Sequence, residues 1–190
     1  ADLLSARARL TPDREAVYEV ATGTRYTYAE LNARANRLAN ALREAYGVRA
    51  GDRVAILAHN SVVFLDLLYG LAKIGAIFTP LNWRLTGREL AYIVSDCTPR
   101  VIIVGPDCLA TYRELEPLIE VPVVLALGSD LDGAPRYDDV LAKAPTTEPE
   151  RPPLDGESPY TILYTSGTTG RPKGAVLPHR QILWNAINTV

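Results

Sequence analysis

Four short apolar runs set the frame of this chain: Arg53 to Ala58, Ala76 to Thr79, Val101 to Val104 and Val121 to Leu127. They are rich in β-branched residues and too short for buried helices, so each reads as a strand. Helical patterns lie between them. Asn60-Ser61 reads as the cap of a buried helix through Ile74 that Gly75 ends, Thr86-Gly87-Arg88-Glu89 has the form of a capping box ahead of Leu90, Ile93 and Val94, and Asp107 to Ile119 reads as a third helix. Strands alternating with helices at this spacing imply right-handed crossovers and strands buried on both faces. The expected fold class is α/β, a doubly wound, mainly parallel sheet flanked by helices.

Upstream, Glu15 to Val20 and Thr24 to Thr27 read as two strands around the turn Ala21-Thr22-Gly23. Thr27-Tyr28-Ala29-Glu30 is a second capping box, and Leu31, Ala35, Leu38, Ala39 and Leu42 carry helical spacing to about Tyr46, where Gly47 stops it. Arg34, Arg37 and Arg43 on this helix read as a solvated outer face rather than an anion site. His59 falls past the carboxyl end of a strand, where open α/β sheets bind ligands, but capping or packing is the preferred reading. Downstream, Tyr137 to Ala144 suggests a short helix. Pro145, Pro149, Pro152, Pro153 and Pro159 then mark a semi-rigid linker. The expected organisation is an α/β subdomain over 1–144, the Pro-rich linker over 145–159, and a hairpin with the start of a helix, Gln181 to Val190, over 160–190.

Composition excludes several classes. With 190 residues, 47% hydrophobic and 22% charged, the chain has the make-up of a globular protein with a sizeable core. A formal net charge of -2 offers no basic field for nucleic acid. Cys97 and Cys108 form no metal or redox spacing, and two histidines far apart make no metal site, so packing in a reducing compartment is expected for both thiols. The most apolar window, Ser61 to Leu81, is broken by Asp66, Lys73 and Pro80, which argues for a buried helix and strand and against a transmembrane segment. No signal peptide opens the sequence, and a cytoplasmic location is expected.

The chemistry concentrates between Tyr160 and Leu177. Two β-prone runs, Tyr160 to Tyr164 and Ala175 to Leu177, flank a loop of hydroxyls, glycines and one lysine. Gly167, Gly170 and Gly174 let backbone N–H groups face an anion, Thr165, Ser166, Thr168 and Thr169 add hydroxyls, and Lys173 adds a positive charge that Pro172 restrains. This composition suits an oligophosphate. A Walker A loop would need Gly-Lys-Ser/Thr opening a helix, whereas Gly170 is followed by Arg171-Pro172 and a strand; the Gly-x-Gly-x-x-Gly dinucleotide pattern is also absent. For a generic loop of this composition a mobile polar connection would be the ordinary reading.

The unbroken string Tyr-Thr-Ser-Gly-Thr-Thr-Gly-Arg-Pro-Lys-Gly at 164 to 174 resembles the phosphate-binding signature of the adenylate-forming superfamily, which includes acyl-CoA synthetases, aryl-CoA ligases, luciferases and peptide-synthetase adenylation domains. The segments 26 to 32, 51 to 57 and 75 to 82 are similar to the opening region of acyl-CoA synthetases, and Asn82-Trp83-Arg84-Leu85-Thr86 through Tyr92-Ile93 looks more like fatty-acyl or aryl CoA ligases than peptide-synthetase domains. Family members are typically two to three times this length. The adenine-binding Tyr-Gly-x-Thr-Glu segment, the ribose-binding Thr-Gly-Asp segment and the late catalytic lysine have no counterpart here, so the resemblance implies an N-terminal fragment of the adenylate-forming synthetase fold, with no catalytic and no metal-ligating residue among those present.

For the full-length protein the resemblance implies ATP, Mg2+ and coenzyme A, with a carboxylic acid as the small-molecule partner. It assigns Lys173 to phosphate charge, Ser166, Thr168 and Thr169 to hydroxyl hydrogen bonds, Thr165 to the loop entrance, and Gly167, Gly170 and Gly174 to backbone opening. The alternatives are a non-catalytic nucleotide- or phosphate-binding or interaction module, and a peptide-synthetase-type adenylation fragment. Truncation would leave apolar surface and favour self-association.

Overall fold

Strand β3 (Arg53–Leu57) lies inside a six-stranded sheet, and its side chains alternate between two cores. The computed structural model describes residues 2–128, 131–165 and 171–188. Val54 and Ile56 face one core with Val101 and Ile103, whereas Ala55 and Leu57 face the other with Ile102 and Val104. This period of two, buried on both sides, explains why the runs are continuously apolar. The sheet order is β6 (Val123–Ala126), β5 (Val101–Val104), β3, β4 (Ile77–Pro80), β7 (Pro159–Thr165) and β8 (Lys173–Pro178). All neighbours are parallel except β7 and β8, which pair antiparallel. The expected α/β class with a mainly parallel, helix-flanked sheet is therefore observed.

Helices α2 (Tyr28–Ala45) and α3 (Val62–Ile74) cover the first core through Leu31, Leu38, Leu42, Leu67 and Leu71. Helices α4 (Gly87–Cys97) and α5 (Leu109–Leu115) cover the second through Leu90, Ile93, Tyr112 and Leu115. Both expected capping boxes form: Thr27 and Glu30 close the start of α2, and Thr86 and Glu89 that of α4. Gly75 ends α3 as expected. The hairpin β1 (Glu15–Glu19) and β2 (Thr24–Thr27) stands apart from the main sheet.

Several expectations are corrected. A helix absent from the sequence reading, α1 (Leu3–Leu10), is capped by Asp2, whose carboxylate accepts from the Ser5 amide at 3.0 Å. The Ser61 hydroxyl does not cap α3; Glu19 of β1 accepts from the Val62 amide at 2.9 Å instead. The region expected as one helix from Asp107 to Ile119 is a short α5 between two 3-10 turns that contain Pro106 and Pro117. Helix α6 (Tyr137–Ala142) is shorter than expected, and α7 (His179–Asn188) begins earlier.

The arginines of α2 do not form a solvated face. Arg34 Nε donates to the buried Asp66 carboxylate at 2.9 Å, and the Tyr137 hydroxyl donates to the same carboxylate at 3.0 Å. Arg37 donates to the carbonyls of Leu141 and Ala142, and Arg43 to that of Glu150 at 2.8 Å. On the same helix, Asn36 and Asn40 donate to the carbonyls of Thr146, Pro145 and Thr147. The segment 145–158 has no regular secondary structure, yet its carbonyls are fastened along α2. Prolines remove donors but leave carbonyls free, so an Asn- and Arg-bearing helix face is a suitable partner for such a segment.

Candidate functional site

Because β3, β4, β5 and β7 are parallel, the residues that follow each of them gather along one edge of the sheet. The connection leaving β3 crosses to the α2/α3 face, whereas those leaving β4 and β5 cross to the α4/α5 face. Opposed connections open a crevice at the carboxyl ends of such strands, the usual ligand position in open α/β sheets. His59 follows β3 here and packs against Trp83, which follows β4, at a centroid distance of 4.2 Å with the rings tilted by 60°. Its Nδ1 lies 3.5 Å from an Asp107 carboxylate oxygen, and Arg84 covers the Trp83 ring at 4.3 Å. His59 thus packs against its neighbours, as expected.

The β7–β8 hairpin brings the two ends of its signature, 164–165 and 171–174, to the same edge. Thr161 locks β7 to β4 by donating its hydroxyl to the Phe78 carbonyl at 2.7 Å within the buried sheet. Further along, Tyr164 pairs with Gly174 and Thr165 with Lys173. These last pairs form the neck of the loop. Thr165, Lys173 and Gly174, three of the eight residues singled out in the sequence, meet there. Ser166, Gly167, Thr168, Thr169 and Gly170 lie outside the described residues.

Lys173 is exposed, and among the described residues no carboxylate comes within ion-pair distance of it. Arg171, two residues earlier, is also exposed and holds its guanidinium 5.8 Å above the Tyr92 ring of α4. Two cations that have no carboxylate partner among the described residues fit a phosphate better than a structural salt bridge. Gly174 fits for another reason: a Cβ there would lie 2.9 Å from Ile162 Cγ2 and 3.1 Å from Tyr164 Cζ, so only glycine lets the Tyr164 ring cross the neck. The Tyr164 hydroxyl donates to the Asp96 carboxylate of α4. Burial pushes this phenol well above its ordinary value, and the hydrogen bond to Asp96 adds to the effect, so the hydroxyl stays a donor.

The sequence reading did not single out Tyr92, Asp96 or Arg171. Arg171 stood inside the recognised string, and Tyr92 and Asp96 are spaced one helical turn apart, but nothing local tells that this face of α4 meets the hairpin. Among the described residues, no group of three His, Cys, Asp or Glu side chains could hold a metal ion. No helix there is long and apolar enough to cross a membrane.

The family model described as AMP-binding enzyme matches residues 4–190. The chain belongs to the AMP-binding enzyme family. This AMP-binding chain is 41% identical over 186 residues to a feruloyl-CoA synthase of Amycolatopsis, covering 97% of the chain and 34% of that protein. It is 39% identical over 180 residues to the long-chain-fatty-acid–CoA ligase FadD13 of Mycobacterium tuberculosis, covering 95% and 35%. The anthranilate CoA ligase AuaEII, solved with anthranoyl-AMP, superposes with a TM-score of 0.91 at 28% identity over 98% of this chain and 36% of that one. The AMP-binding chain therefore spans about a third of the length of the relatives it matches, and the matched part is their N-terminal part.

Proposed function

We propose that this chain is the N-terminal, phosphate-holding part of an ATP-dependent acid–thiol ligase that converts a carboxylic acid to its acyl-CoA through an acyl-adenylate. The observation that carries the reading is the hairpin neck at the carboxyl edge of the sheet, where Lys173 pairs with Thr165 and, with Arg171, stands exposed and without a carboxylate partner among the described residues. Bound ATP with its Mg2+ supplies the electrophilic α-phosphorus and the pyrophosphate leaving group. Lys173 neutralises charge on the β- and γ-phosphates, and Thr165 supports the loop entrance. Ser166, Thr168 and Thr169 donate hydroxyl hydrogen bonds, while Gly167, Gly170 and Gly174 keep the backbone open to the ligand. None of them acts as nucleophile or general base; their contribution is positioning and electrostatic.

Relatives named for feruloyl and long-chain fatty acyl substrates support an aryl or fatty acid as the carboxylic partner, with coenzyme A as acceptor. In this reading 1–144 forms the α/β subdomain, 145–159 the connection, and 160–190 the phosphate element. Turnover requires segments beyond the third of the relatives that this chain matches, so the chain alone binds without completing the reaction.

The test is a calorimetric titration of Mg·ATP and of pyrophosphate into the chain and into Lys173→Ala. The wild type is expected to bind both, and loss of one charge-assisted contact is expected to weaken binding by about ten- to a hundredfold. Absence of wild-type binding at millimolar ligand, or equal binding by the variant, sinks the reading.

A further inference from the structure

Lys173 stands on an exposed strand end, where a side chain has no reason of its own to stay in register with a ligand. The residues on both sides of it are nevertheless held, and by one helix. Before it, Arg171 lies over the Tyr92 ring of α4. After it, Gly174 faces Tyr164 across the hairpin, and the Tyr164 hydroxyl is bonded to Asp96 of α4. Tyr92 and Asp96 are four residues apart, so they project from adjacent turns of the same face. Each arm of the hairpin neck therefore rests on its own side chain of α4.

The helix end that provides these supports is itself fixed. Arg53 of β3 donates from Nε to the Cys97 carbonyl at 2.6 Å and from a terminal nitrogen to the Thr98 carbonyl at 2.8 Å, closing the open carbonyls at the end of α4. The Tyr164 ring also packs against the core between α4 and the sheet. The path from the central strand to Lys173 thus runs through Arg53, the last turn of α4, Asp96 and Tyr164. Neither Tyr92 nor Asp96 is needed for that core: both are exposed. Their position is explained by what they hold.

We infer that Tyr92 and Asp96 are positioning residues for phosphate binding, clamping the two arms of the hairpin neck so that Lys173 is presented in a fixed place at the carboxyl edge of the sheet. Neither touches the phosphate; both act through the neck. The inference rests on the reading of the hairpin as a phosphate site, and it adds a cost to losing side chains that lie on a different element.

The experiment is a pyrophosphate titration of the 190-residue chain as wild type, Lys173→Ala, Asp96→Asn, Tyr164→Phe, the Asp96→Asn/Tyr164→Phe pair, Tyr92→Ala and Tyr92→Phe, with melting temperature and hydrogen exchange at 171–175 followed for each. Asp96→Asn and Tyr164→Phe are each expected to weaken pyrophosphate binding by about two- to tenfold. The double variant is expected to be no weaker than Tyr164→Phe, because the bond from which Asp96→Asn takes the charge is already absent there. Tyr92→Ala should weaken binding while Tyr92→Phe, which keeps the ring face, restores it. Exchange at 171–175 should quicken in Asp96→Asn without ligand. If the wild type binds and Lys173→Ala weakens it, but the α4 variants bind as the wild type does, the clamp is overturned and the phosphate site stands. A wild type that does not bind removes both. Unchanged exchange in Asp96→Asn, or a lowered melting temperature with unchanged affinity, also overturns the clamp.

Discussion

Lys73 is 2% exposed, yet it is fully engaged: its ammonium donates to Asp2 at 2.8 Å, Asn32 at 3.0 Å and Glu148 at 2.9 Å, with the Ser5 hydroxyl also in reach. Arg151 joins the same two carboxylates. Burial alone would raise the Glu148 carboxyl, but hydrogen bonds from Asn32, Lys73 and Arg151 outweigh it and hold the group far below its ordinary value of 4.5. Asp2 is likewise held below 3.8, with its own burial opposing and Lys73 prevailing. A depressed folded-state value means that this stabilisation is complete above the unfolded value and is lost as pH falls through the folded one. Glu148→Gln should therefore lower stability most at neutral pH, and the difference from wild type should shrink as pH drops below 4.5. Urea melts at a series of pH values check this; a pH-independent difference refutes it. In the sequence Lys73 is only an interruption of an apolar window, because its partners lie 71, 41 and 75 residues away. The same holds for Arg34, whose partner Asp66 interrupts that window too. Two charges in an apolar run signal burial with partners, but the run does not name them.

At the level of elements, α2 and α3 meet at Gly70, where a Cβ would lie 2.8 Å from the Ala35 carbonyl oxygen and 3.2 Å from Leu38 Cδ2. A larger side chain must push the helices apart, and Gly70→Val is expected to cost about 1–3 kcal/mol by overpacking. A variant as stable as wild type in urea would show that the contact is looser than these distances imply. The elements themselves were largely legible. Strand runs such as Val101–Val104 carry their two-faced burial in four consecutive apolar residues, and the capping boxes at Thr27 and Thr86 are local chemistry. Helix α1 was not legible: Leu-Leu-Ser-Ala-Arg-Ala-Arg-Leu has weak periodicity, and only Leu4 and Ser5 are buried. The loop signature was recognisable from its residues. Its supports on α4 were not, because a contact between residues 96 and 164 leaves no mark in either segment.

At the scale of the whole molecule, the last hairpin and helix expose several large apolar side chains close together, besides isolated ones such as Leu10 and Val20. Trp184 is 58% and Ile187 53% exposed, with Leu183, Val176 and Leu163 also in solvent. A groove of about 450 Å³ runs between α7 and α3, lined by Leu68, Tyr69 and Leu183. Exposed large side chains at this density favour association. Sedimentation at rising concentration is expected to show a reversible dimer, and Trp184→Glu with Ile187→Glu is expected to restore a monomer. A wild type that stays monomeric at high concentration counts against it.

The fastening of residues near 148 onto the start of the chain also bears on the order in which it can form. Arg151 and Asp2 are 149 positions apart, and Lys73 reaches both of their neighbourhoods from the middle of the sequence. Closing so long a loop is entropically late, and contacts of this span slow folding. A ribosome must deliver some four-fifths of these residues before Glu148 and Arg151 can close the cluster around Asp2. Until then the ammonium of Lys73 has Asp2 as its one carboxylate partner in this cluster, so the cluster is completed only after α1, α2 and α3 have been made.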